Sequence, residues 1–97
     1  MEQNHSFKLL DGQFDPSEAR SILFTLINSK INFHSMESFG IYIRSSGDTV
    51  YHEKRIKELK QTNIDIKQLI DMAAKDGKNL KINGNIEITL VDGSGNA

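Results

Sequence analysis

Ninety-seven residues with 12 basic and 13 acidic side chains, a formal charge of -1, leave room for one hydrophobic core. They supply no global field that would draw the chain to nucleic-acid phosphates or an anionic membrane. The lack of cysteine excludes disulfides, thiolate zinc sites and a cysteine nucleophile, and fits a reducing, cytoplasmic setting.

Met1 to His5 lack a basic lead into an apolar run, and no stretch is apolar enough to span a bilayer, so secretion and membrane insertion are disfavoured. The apolar residues, 37% of the chain, are strongly patterned, which predicts folding rather than disorder. Phe7, Lys8 and Leu9 alternate before the turn signal Asp11-Gly12, which predicts a short first strand. Asp15-Pro16-Ser17-Glu18 then reads as a helix start. Asp15 can accept the first free N–H groups, Pro16 suits the first helical position, and Glu18 completes a capping box. Phe14, just ahead of the cap, can staple the chain against the first turns.

Ala19, Ile22, Leu23, Leu26 and Ile27 recur at three and four, making one greasy helical face. Ile31 and Phe33 continue it less cleanly around Lys30, and the helix is predicted to end near Ser38, before Gly40. Between 39 and 51, Phe39, Ile41 and Ile43 alternate with smaller or polar residues. Ser45-Ser46-Gly47-Asp48 is a turn cluster that precedes Thr49-Val50-Tyr51. This segment reads either as a short hairpin or as an ordered loop that laps the helix ends.

From His52 to Lys75 the chain is rich in helix formers and free of Pro and Gly. Leu59, Asn63, Ile66, Ile70 and Ala73 step by four and three, a coiled-coil-like seam in which Asn63 serves as a register device. Gly77 after Asp76 is the expected left-handed stop. Leu80 to Val91 alternates, with Leu80, Ile82, Ile86, Ile88 and Leu90 on one face, which predicts a strand buried on one side with a bulge or bend at Gly84.

The predicted fold is α+β: a β-α-α-β order in which a long antiparallel helical hairpin packs on a small antiparallel sheet, with the extra hairpin as an option. Residues 1–91 form a single domain and 92–97 a disordered tail. Unbroken, the last strand would reach on the order of 40 Å at about 3.3 Å per residue, more than the short first strand can cover. A second copy is the simplest partner for the excess, which predicts a homodimer with Ile82, Ile86, Ile88 and Leu90 at its interface.

Polar residues gather toward the hairpin tip: Lys30, Asn32 and His34 from the first helix, Arg44, Ser45 and Ser46 from the connection, and Lys54 and Arg55 from the second helix. Charge-assisted hydrogen bonds and free backbone N–H groups would suit a phosphorylated or nucleotide-type ligand, although the spacing matches no phosphate loop and an ordinary solvated helix end is the plainer reading. Lys30 and His34, one turn apart, read chiefly as packed or capping groups. His34 and His52 can meet across the helix connection, but with no Cys and no close carboxylates they are not read as a metal site, and no cofactor is expected. No nucleophile elbow, zinc-protease helix, Walker loop or dinucleotide glycine pattern is present.

The runs DGQFDPSEA (11–19), LINSKINFH (26–34) and EKRIKEL (53–59) resemble a group of short bacterial proteins with no assigned activity, cofactor or substrate. The resemblance spans most of the chain and weakens over 39–50, which is richer in Ile and Tyr. It carries no functional residue over, and points only toward Lys30, Asn32, His34 and Arg55. The expected function is a small non-enzymatic protein-interaction module acting as a homodimer. The alternative is a ligand-binding or sequestering protein with its site at the basic tip, and an enzyme with His34 as general base stands third.

Overall fold

The computed structural model describes residues 3–45 and 49–93, apart from the side chains of 42–45. Ser46 and residues 94–97, most of the predicted tail, lie outside the described residues. Four elements follow in order: β1 (Gln3–Phe14), α1 (Pro16–Ser45), α2 (Val50–Lys75) and β2 (Leu80–Leu90). The predicted β-α-α-β order of an α+β fold is the observed one.

The start of α1 is the capping box that the sequence spells. Glu18 N–H donates to Asp15 Oδ1 at 2.8 Å, and Asp15 N–H donates back to Glu18 Oε1 at 3.0 Å, so two otherwise orphaned donors are satisfied. The end of α2 is equally local. Gly77 takes a φ of 65°, Lys78 N–H reaches the Ala73 carbonyl at 2.8 Å and Gly77 N–H the Ala74 carbonyl at 3.3 Å. These two bonds form the Schellman closure that a left-handed glycine permits.

Two expectations about the middle of the chain are overturned. The first helix does not stop near Ser38, because α1 continues through Gly40 to Ser45. The described part of 39–51 is therefore helical on both sides of the connection, neither hairpin nor loop. The reason lies on the seam. His34, Ser38 and Ile41 step by four and three along α1, His34 buried and Ser38 and Ile41 part-buried, so packing continues past a glycine whose intrinsic cost is only about 1 kcal/mol. On α2 the less exposed positions include His52, Leu59, Asn63, Ile66, Ile70 and Ala73, which extends the predicted seam by one heptad toward the N-terminus.

The sheet brings a further correction. β1 is not a short strand. It pairs antiparallel with the whole of β2, from Gln3 opposite Leu90 to Phe14 opposite Leu80, so the last strand has no unpaired excess. The irregularity falls on β1, where the register shifts between Lys8 and Leu10, across from Gly84. Directly opposed residues share a face. The extra residue, Leu9, therefore keeps His5, Phe7, Leu10 and Phe14 on the same side as Leu90, Ile88, Gly84 and Leu80. Without that bulge the apolar set of β1 would change faces halfway along.

The ribbon projects sideways from the helices instead of lying along them. The chain measures 51 × 35 × 15 Å, and 35 Å is more than twice the roughly 14 Å width of two packed helices. Its radius of gyration is 17.3 Å, against about 12.5 Å for a compact domain of this length. Among the described residues the only fully buried apolar side chains are Ala19 and Ile70. No described helix is long and apolar enough to cross a membrane.

Candidate functional site

Because α1 runs on to Ser45 and α2 begins at Val50, His34 and His52 both face the helix seam. Their Nδ1 atoms stand 2.8 Å apart, with ring centroids separated by 5.1 Å. One ring must donate and the other accept, so the contact requires at least one neutral imidazole. His34 is only 3% exposed, the one buried polar side chain among the described residues. Phe33 meets its ring edge-on at 5.2 Å and Tyr51 at 6.0 Å, and Tyr51 also packs against His52 at 5.0 Å.

The electrostatics favour a neutral His34. Burial is the largest influence, followed by the positive charges of Lys30, His52 and Arg55, and together they push its pKa below the ordinary 6.5, while Glu37 pulls weakly upward. The structure thus gathers three of the sequence-predicted residues, Lys30, His34 and Arg55, into one neighbourhood. Two of them are engaged locally: the Lys30 ammonium lies 5.0 Å from the centre of the Phe33 ring, and the Arg55 guanidinium donates to Glu58 at 3.0 Å.

The remaining tip residues are placed elsewhere. Asn32, two positions before His34, falls on the opposite side of α1 and is exposed. Lys54 borders a shallow depression with Val50, Glu53 and Lys57. The side chains of Arg44 and Ser45 belong to the undescribed part of α1, and Ser46 to the undescribed connection, so the phosphate-turn geometry expected there falls outside the described residues. No group of three or more His, Cys, Asp or Glu side chains stands close enough to hold a metal ion among the described residues.

Tyr51 and His52 complete the cluster; His52 was expected as able to meet His34 across the helix connection but not as a site residue, and Tyr51 was not among the predicted site residues. The signal that finds His52 is arithmetic: Leu59, Ile66 and Ala73 are spaced by seven, and one more heptad back is His52. On α1 the same step links Ile27, His34 and Ile41.

Below this cluster two further polar contacts cross the seam. Asn63 Nδ2 donates to Asn28 Oδ1 at 3.0 Å, while the Asn63 Oδ1 is buried without a hydrogen-bond partner. Asp71 accepts from Arg20 at 2.8 Å and from Lys67 at 2.9 Å. The Lys67 hydrogen bond is the main reason its carboxyl sits below the ordinary 3.8.

The predicted interface residues form a second candidate surface. Ile82, near the helices, is half-buried, whereas Ile86, Ile88 and Leu90 are 42, 46 and 55% exposed, and Phe7 beside them is 56% exposed. Where the ribbon leaves the helices, Leu9 and Leu10 border an open apolar cleft of about 410 Å³ with Ile22 and Leu26 of α1. No family model, curated protein or solved structure matches the chain.

Proposed function

We propose that the chain is a small non-enzymatic interaction module that works as a homodimer. The observation that carries this is surface area. The chain exposes 7737 Å², whereas a folded monomer of its mass exposes about 5,600 Å². The excess of roughly 2,000 Å² per chain is what each subunit of an obligate dimer buries.

Apolar side chains contribute to it, since Phe7, Phe33, Met36, Leu69, Met72 and Leu90 are all at least half exposed. Exposed apolar area on this scale marks an association surface. The polar cluster supports the same reading. His34 is buried and its Nδ1 is engaged by His52, so the one candidate general base faces the seam instead of a substrate.

Light scattering over a dilution series tests the proposal. The expected result is twice the chain mass down to low micromolar protein, with helicity lost as the dimer dissociates. A folded monomer at high micromolar concentration, with helix and strand content intact by circular dichroism, would overturn it.

A further inference from the structure

We infer that the dimer is reciprocal: the outer half of each ribbon lies across the α1 helix of the other copy. This rests on the homodimer reading and specifies which surfaces meet.

Two separate apolar surfaces are left uncovered. One is the outer ribbon face, formed by Phe7, Ile86, Ile88 and Leu90. The other is a second stripe on α1, where Ile22, Leu26, Phe33 and Met36 recur with Ser29 at threes and fours on the side turned away from the seam-facing stripe. Leu26, Phe33 and Met36 are 38, 50 and 74% exposed. Both surfaces lie on one side of the molecule. Ile22 and Leu26 share the cleft with Leu9 and Leu10, and Leu69 and Met72 of α2 border another with Leu80.

A sheet with one apolar face is stable when a helical layer covers it. The ribbon cannot use its own helices for this, because it leaves them sideways. The dimensions of the two bare surfaces agree. From Gln3 to Lys8 the ribbon runs about 17 Å at 3.3 Å per residue, and from Ile22 to Met36 the stripe runs about 21 Å at 1.5 Å per residue, long enough to take the whole of it. A two-fold axis that lays each ribbon on the other's stripe covers both surfaces at once and closes the assembly at two copies.

Stacking ribbon on ribbon covers less. A face two strands wide, about 10 Å, and about 17 Å long has a footprint of only a few hundred Å² at most, roughly half of what the reciprocal arrangement covers on each chain, and it leaves both helical stripes bare.

The chain has no cysteine, so single-cysteine variants give a clean background. Ile88→Cys is mixed in turn with Leu26→Cys, Phe33→Cys and Met36→Cys, after unfolding and refolding together, and oxidised gently. At least one mixture is expected to give a disulfide-linked heterodimer as the main product, since Cα atoms within about 7 Å can be bridged. Thr89→Cys, on the opposite ribbon face, is expected to give at least tenfold less with the same partners.

Isotope-filtered NMR on a mixed-label wild-type dimer requires no substitution, and is expected to show contacts between Ile88 and Leu26 or Met36 of different chains. A dimer whose intermolecular contacts join Ile88 to Ile88, or join the stripes to each other, would overturn the reciprocal arrangement while leaving the homodimer standing. A monomeric mass would overturn both.

Discussion

Between the two helices, apolar layers alternate with polar contacts that only one alignment satisfies: Arg20 with Asp71, Asn28 with Asn63, His34 with His52. Along the ribbon the backbone is laddered on both sides of the Leu9 bulge, yet the apolar face beyond the bulge meets solvent. Backbone pairing alone does not hold a two-stranded sheet in water. The helical hairpin therefore specifies its own geometry, while the outer ribbon depends on whatever covers it. Specification and stability are divided between different parts of one short chain.

The sharpest way to probe the helical side is Ile70→Ala. Ile70 is fully buried in a core that has almost nothing else to share the loss. The expected cost is about 2–5 kcal/mol, as for other buried Ile or Leu truncations, read from urea unfolding by circular dichroism at fixed protein concentration. A loss below about 1 kcal/mol would mean that the seam is not the stabilising layer.

The next effect has the opposite sign. Asn63→Leu removes a buried oxygen that has no partner, and it releases Asn28, which is exposed enough to be hydrated. Removing such an orphan is expected to gain about 1–3 kcal/mol and to weaken the specificity of helix alignment, as polar seam residues do in coiled coils. Urea unfolding reads the first effect, and mass or NMR heterogeneity reads the second. A destabilised variant with an unchanged single spectrum would show that Asn63 contributes to stability.

How far the sequence reveals these two regions differs for physical reasons. The caps of α1 and α2 are local, so Asp15-Pro16-Ser17-Glu18 and Asp76-Gly77 were readable directly. So was the α2 seam, because its heptads are clean. β1 was not, since the bulge at Leu9 flips the alternation and its first residues, Gln3 to Ser6, have no strand character of their own. Only pairing with β2 makes them a strand. The end of α1 was hidden by Gly40 and by the alternation of Phe39, Ile41 and Ile43, which a period-two test mistakes for strand. The meeting of His34 and His52 across the helix connection was legible in the sequence, but its place in a continued helix seam depends on the true helix length and stayed hidden once α1 was cut short.

The smallest effect concerns protons. His34 has its pKa lowered, first by burial and then by Lys30 on its own helix and His52 and Arg55 on the facing one, against a weaker pull from Glu37; Tyr51 packs on it edge-on. In the unfolded chain the same imidazole titrates near its ordinary 6.5. As pH falls below that value the unfolded state takes up a proton that the folded state refuses, so stability declines. The contribution is complete above pH 6.5 and is lost progressively until the folded-state pKa is passed. Asp71 acts in a lower window, its contribution present above the ordinary 3.8 and lost as pH falls below it. Urea midpoints at pH 8, 7, 6 and 5 and one protein concentration are therefore expected to decrease in the wild type and to flatten in His34→Leu, which replaces the ring by an apolar side chain that burial does not penalise. Parallel profiles for the two proteins would assign the pH dependence to groups outside the seam, and the polar contact at the hairpin tip would then carry no part of the difference between helices and ribbon.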